Sequence, residues 1–366
     1  MLCKHISKGV RPLFFDGNML YCARYNNIIV TDDFGQTFST IGELRTANRF
    51  KSLSASSALA RRILRMSVYR LRVADNGNIV CVFKGGIYLL RSGEKEGHCV
   101  HPILKGSRPV SLASKPGGLI VWGEYHSNRE RGEIAIFGSA DSGESWRPVY
   151  CFPPGSIRHV HGITYDEYDD CFWICTGDHD GEEQLLKADA NFENVELILQ
   201  GGQENRFYSM VATPDYIIAA NDSPNADNRV RRLHKGSGEI ADLVTIDNSS
   251  FYSCVLGRWY FCSTNAEKPE RGLPKTFKTP NDFSASHVWM IDIGSGQGRR
   301  VFSFPVDIWY KLNAFPMIPN GLFQYSRIFF PEGKNLSEKL VCYGTGTQGA
   351  DDCMFVYDLK DLEKLQ

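Results

Sequence analysis

Thr31-Asp32-Asp33-Phe34-Gly35-Gln36-Thr37-Phe38 and Ser139-Ala140-Asp141-Ser142-Gly143-Glu144-Ser145-Trp146 are two copies of one pattern, Ser/Thr-x-Asp-x-Gly-x-Ser/Thr-aromatic. Strand-forming residues flank each copy. The residue types dictate a tight turn: carboxylate and hydroxyl groups hydrogen-bond the turn backbone, glycine takes a left-handed conformation, and the aromatic plugs the turn against a sheet. Such a turn shapes a hairpin and carries no reaction.

The copies begin 108 residues apart, too far for one four-stranded unit and about right for two, so a degenerate copy is expected between them. Gly86-Ile87-Tyr88-Leu89-Leu90-Arg91-Ser92-Gly93 supplies it without the aspartate. Weaker echoes follow at 185–189, 230–234, 288–292 and 354–358, which makes seven hairpins. The strand expected before each hairpin gives the same number, at 19–23, 78–83, 119–123, 172–177, 216–221, 259–264 and 340–344. Five of these strands carry a cysteine, Cys22, Cys81, Cys175, Cys262 and Cys342, read as a small buried residue at one slot of a repeated blade. The expected fold class is therefore all-β, a seven-bladed β-propeller forming one domain over 1–366, with a six-bladed ring as the alternative. The two ends of the chain should meet in the closing blade, because closure removes two exposed sheet edges.

Apolar residues at 42%, aromatics at 12% and 34 glycines suit many short strands joined by turns. No stretch approaches the ~20 apolar residues of a membrane span, and a net charge of −1 gives no support to a nucleic-acid surface. Eleven cysteines without a CxxC pair, after a start that lacks an apolar signal core, imply reduced thiols and a cytoplasmic location. Two segments break the repeat: a short basic helix near 52–65, between the first and second blades, and a long loop near 267–283 rich in Pro, Lys and Thr.

In a blade whose strands A to D run outward from the channel, the loop entering A and the loop joining B to C share one face. The polar residues at these positions are dense. Arg158, His159 and His161 enter A of the fourth blade, and the two histidines, two apart on a strand, point the same way. Paired imidazoles serve as acid, base, anion binder or metal ligands, and a metal needs a third ligand from elsewhere. Other entries offer Arg206 with Tyr208, Tyr252, and Gln324 with Tyr325 and Arg327; the B–C loops offer Glu124, Asp178, Asp222 and Asn265. This mixture suits a hydroxyl-rich anion: arginine forks grip carboxylates, Asp and Asn bind hydroxyls, and aromatic faces stack on sugar rings.

The paired turns and the blade spacing resemble the Asp box of the sialidase-like (BNR-repeat) propellers. A looser resemblance, over Gly123-Glu124-Tyr125, Arg158 to Gly162, Thr176-Gly177-Asp178 and Asp222-Ser223-Pro224, is to bacterial BNR-type proteins of surface-polysaccharide pathways. Sialidases use an arginine triad, a Tyr-Glu nucleophile couple and an acidic acid/base, with an Arg-Ile-Pro opening; Gly9-Val10-Arg11-Pro12-Leu13 is the nearest counterpart here, and no arginine triad is assigned. The resemblance implies a carbohydrate-active propeller with an acidic glycan as its partner; no cofactor is expected and no metal ligand is assigned, with metal binding by His159 and His161 left open.

Three functions follow. A glycoside hydrolase would draw acid and base or nucleophile from Glu124, Asp178 and Asp222. A polysaccharide lyase would use Tyr208 or Tyr252 with His159 or His161 against a uronate held by Arg158 or Arg206. A scaffold would only bind glycan, and under the leading reading the substrate is bound by Arg158, Arg206, Tyr252, Asn265, Gln324 and Tyr325. The hydrolase is placed first, with His159, His161, Glu124, Asp178, Tyr208 and Asp222 as catalytic residues; the oligomeric state is left open.

Overall fold

A computed structural model describes residues 3–46, 58–64, 67–106, 108–179, 181–268, 275–276, 282–312 and 322–365. It is a β-propeller. Five four-stranded sheets stand alone, and a nine-stranded sheet holds two further four-stranded meanders plus one flanking strand, so the described strands form seven four-stranded units arranged like blades. Inner strands of neighbouring blades lie side by side around the ring. The seven expected B strands all form, from Met19–Arg24 through Ile79–Phe83, Ile120–Gly123, Cys171–Gly177, Tyr216–Asn221 and Trp259–Thr264 to Lys339–Thr345.

The B and C strands are buried on both faces between neighbouring blades, which is why Ile79–Phe83 and Gly86–Leu90 are apolar almost throughout instead of alternating. Each large aliphatic or aromatic side chain so buried contributes about 1.5–3 kcal/mol. Cys22, Cys81, Cys175, Cys262 and Cys342 occupy this layer without solvent exposure, and all eleven cysteines are free thiols. Outer strands such as Ser39–Leu44 and Arg147–Phe152 are more exposed.

Both quoted turns join strand C to strand D, and they make the same bonds. Thr31 Oγ1 donates to Asp33 Oδ1 at 2.7 Å and accepts the Gly35 N–H at 2.9 Å, while Asp33 accepts the N–H and hydroxyl of Thr37 at 2.9 and 2.7 Å. Ser139, Asp141, Gly143 and Ser145 repeat the arrangement. Gly35 and Gly143 lie at φ 93° and 94°, where a Cβ would strike Met354 and Val80 at 2.6 and 2.5 Å. Neither turn lies at an inner-strand entry.

The strand Cys3–Lys8 pairs antiparallel with Cys353–Asp358, completing a blade whose inner strands are Arg327–Phe329 and Lys339–Thr345. Two features depart from the repeat. Glu332–Asn335 runs parallel beside the inner strand of the first blade, Arg11–Gly17, at the end away from Arg11. Three short α-helices are also present among the described residues: α1 (Ala58–Ile63), α2 (Ile308–Leu312) and α3 (Leu359–Glu363). The expected basic helix is thus α1, although half of 52–65 and most of the loop 267–283 lie outside the described residues.

Candidate functional site

The inner strand of the fourth blade, His159–Asp166, has a bulge between Val160 and Gly162. The bulge aims His161 beside His159, with ring centroids 5.0 Å apart. Asp178 directly follows Gly177, whose register partner is His159, so its carboxylate meets both rings: His161 Nε2 is 2.9 Å from Oδ1 and His159 Nε2 is 3.4 Å from Oδ2. Gly177 makes this possible, since a Cβ there would lie 2.7 Å from His161 Cε1 and 3.4 Å from Arg206 Cγ. Arg158 donates to Asp178 Oδ2 at 2.7 Å, and Arg206 lies 3.0 Å from Oδ1 and 3.7 Å from Asp222 Oδ2.

The electrostatics of this cluster follow from its contacts. Burial alone would raise the Asp178 pKa, but His159, His161 and Arg206 more than reverse that and hold it far below the usual carboxylate range. Burial pushes the His159 pKa down, with Asp178 pulling the other way.

From His161 a chain of rings crosses the mouth of the channel. Tyr208 lies 5.5 Å from the His161 ring, Tyr252 lies 6.1 Å from Tyr208, and Tyr252 Oη is 2.9 Å from Tyr69 Oη. Tyr69 enters the inner strand of the second blade, Arg70–Val73. Arginines surround it, with the Cζ of Arg108, Arg70 and Arg11 at 4.1, 4.6 and 5.1 Å from the ring centroid. Arg327 reaches the same cluster over Tyr325 and Phe329.

Burial would raise the Tyr69 pKa, yet the charges of Arg70, Arg108 and Arg327, with a hydrogen bond from Tyr252, bring it down to about 7. Burial instead raises Tyr208, Tyr252, Tyr325 and Tyr343 above the usual phenol range. Tyr69 opens onto a pocket of about 510 Å³, counting the space open to solvent at its mouth. Arg11, Arg108 and Arg327 line it, and among the described residues none of the three has a carboxylate at ion-pairing distance. Two carboxylates also line the pocket, Asp351 and Asp352; burial raises the Asp351 pKa, and Tyr343 donates to Asp352 at 2.7 Å. The α1 arginines close one side, Arg61 paired with Asp352 and Arg62 with Asp307.

Of the residues read from the sequence, Arg158, His159, His161, Asp178, Arg206 and Asp222 form one contact network, and Tyr208 and Tyr252 link it to Tyr69. Gln324 lines the pocket and its Oε1 accepts from Arg327. Tyr325 stands beside Arg327, 4.9 Å from its Cζ. Glu124 does not join them: its Oε2 accepts the Ala135 N–H at 2.9 Å and lies 3.6 Å from Lys105 Nζ. Asn265 is fully buried and its Nδ2 donates to the Ser249 carbonyl at 3.2 Å. Sequence reasoning did not bring Arg11, Tyr69, Arg70 and Arg108 into this cluster. The first three sit at inner-strand entries of the first and second blades, the same kind of position as Arg158 and Arg206.

No family model matches this chain, and no curated protein matches its sequence. Solved structures do. An oligogalacturonate lyase in complex with manganese superposes with a TM-score of 0.56 at 10% identity, over 98% of this chain and 92% of that one. An ancestral GH74 enzyme gives 0.55 at 13%, over 96% of this chain, which spans only 45% of the enzyme. A structure of the mitotic checkpoint complex gives 0.55 at 9%, over 97% and 94%. At such identities the likeness is one of fold.

Proposed function

We propose that the protein is a carbohydrate-active propeller that hydrolyses an acidic glycan in the pocket of Tyr69. The observation that carries this reading is the set of three guanidiniums, Arg11, Arg108 and Arg327, that have no carboxylate at ion-pairing distance among the described residues and converge beside a tyrosine ionised near neutrality. Guanidiniums so placed take a carboxylate of the substrate. The Tyr69 phenolate attacks the anomeric carbon, the glycosidic C–O bond breaks, and the carboxyl of Asp351, whose pKa burial raises, gives a proton to the leaving oxygen. Water then loses a proton to Asp351, attacks the same carbon and releases the phenolate. The division of labour resembles that of sialidases, and it moves the acid away from Glu124, Asp178 and Asp222: Asp178 is locked in its ionised form and Glu124 is bound to backbone.

A second reading is favoured by the same phenolate. With a uronate bound, Tyr69 is basic enough to remove the proton α to the carboxylate, and elimination leaves an unsaturated sugar. A panel of sialosides and uronate polysaccharides separates the two. New reducing ends without the ultraviolet absorbance of an unsaturated product indicate hydrolysis, and that absorbance indicates elimination. Under either chemistry Tyr69→Phe should lower kcat by about 10²-fold or more with little change in Tm. Glycan binding without cleavage of any substrate by the wild-type chain would overturn the catalytic reading and leave a scaffold.

A further inference from the structure

His159 and His161 pose a problem of hydrogen counting. A backbone carbonyl oxygen only accepts. Nδ1 of His159 is 2.7 Å from the His126 carbonyl oxygen, and Nδ1 of His161 is 2.9 Å from that of Phe207, so both Nδ1 atoms carry the hydrogen. In each neutral ring Nε2 is then a bare lone pair. These two atoms face each other at 3.1 Å, and both face the Asp178 carboxylate, at 2.9 and 3.4 Å. Three acceptor groups converge with no hydrogen between the two imidazoles or between either imidazole and the carboxylate, whose own donors are Arg158 and Arg206, and all three side chains are buried. A proton shared by the two rings would bridge one pair of acceptors and leave the third facing a lone pair. A metal ion satisfies all three.

We propose that Nε2 of His159, Nε2 of His161 and a carboxylate oxygen of Asp178 bind one divalent transition-metal ion of the Zn²⁺ or Mn²⁺ class. The surroundings have the form that metal ligands require. Each imidazole is fixed in its tautomer by a backbone carbonyl, and each carboxylate oxygen holds an arginine, Arg206 on Oδ1 and Arg158 on Oδ2. Gly177 leaves the room that His161 occupies. The two guanidiniums oppose a cation, and Asp222 beside Arg206 offsets one of them, so a micromolar affinity is expected rather than that of a structural zinc site. The other cluster of this kind among the described residues, Asp166, Asp169 and Cys171, differs because Lys235 Nζ already lies 2.7 Å from Asp166 and 3.5 Å from Asp169. The site requires neither Tyr69 nor hydrolysis.

Calorimetric titration of the full chain with Zn²⁺, and separately with Mn²⁺, tests the assignment. One ion should bind per chain. His159→Gln and His161→Gln should each weaken binding by about 100-fold or more, beyond the loss typical of an outer-shell change, whereas Asp169→Asn should leave it unchanged. Electron spin-echo spectroscopy of the wild-type chain loaded with Cu²⁺ counts bound imidazoles without any variant, and two are expected. No saturable binding of either ion, affinity that persists in both histidine variants, or fewer than two imidazoles on copper would each overturn the proposal.

Discussion

Arg108→Gln removes the guanidinium that lies nearest the Tyr69 ring, at 4.1 Å. Tyr69 titrates near 7 where an ordinary phenol titrates near 10, a difference worth about 4 kcal/mol at ~1.4 kcal/mol per pH unit. Burial works against ionisation, so Arg70, Arg108, Arg327 and the Tyr252 hydrogen bond supply at least that sum between them. An equal division gives each about 1 kcal/mol or slightly more. Arg108 is partly exposed, and screening trims its share. The variant should therefore titrate near pH 8, and its phenolate fraction at pH 7 should fall from about one half to about one tenth.

The assay is the difference absorbance of tyrosinate during a pH titration. The step is isolated because Tyr208, Tyr252, Tyr325 and Tyr343 are all pushed upward by burial, and Tyr69→Phe should abolish it. The acid limb of kcat/KM should move by the same amount. The sign for stability follows from linkage. The folded pKa lies below the unfolded one, so between about pH 7 and pH 10 the unfolded chain binds more protons and stability rises with pH; this contribution is lost as pH falls through 7. A wild-type chain with no tyrosinate step below about pH 9, or a step that Arg108→Gln leaves in place, would refute the reasoning.

Asp178→Asn should destabilise the fold by about 3–5 kcal/mol in urea denaturation, because it leaves Arg158 and Arg206 facing a neutral amide in a buried site; a loss under about 1 kcal/mol would show that the arginines re-pair with other groups. Thiol titration of the native chain should find Cys99 and Cys151 reacting fast, as the two exposed cysteines, and should reach eleven groups on denaturation without reductant. A shortfall of two would reveal a disulfide.

Fold and site were legible to different depths, for physical reasons. The C–D turns write their geometry into a local string, since Asp33 and Asp141 bond residues within four positions, and the buried B strands repeat a strong apolar signal. The His159, His161 and Asp178 cluster was reachable because one strand and its hairpin partner bring the residues together. The Tyr69 pocket draws on the first, second, third and seventh blades, from Arg11 to Asp352, and such a gathering depends on how the ring closes. Glu124 shows the opposite limit: its position is where the repeat rule puts it, but an amide of the neighbouring strand takes its charge. The parallel strand Glu332–Asn335 has no counterpart in the repeat, and it sets Glu332 against Arg70 and Arg72.

The strand Cys3–Lys8 is made first and used last. Its partner, Cys353–Asp358, emerges some 350 residues later, which at ~5–20 residues per second of synthesis is a wait of roughly 20–70 s. Throughout that time it is an unpaired edge, able to template pairing with other chains. Its sequence suits the delay: Lys4, His5, Ser7 and Lys8 make it polar, whereas the waiting slot on the last blade is lined by Met354, Phe355 and Val356. Lysines on such an edge act as gatekeepers during synthesis. The charge of this strand thus serves the nascent chain as well as the finished ring, where it stays the outermost strand of its sheet, and replacing its lysines with valine would expose every growing chain to its neighbours.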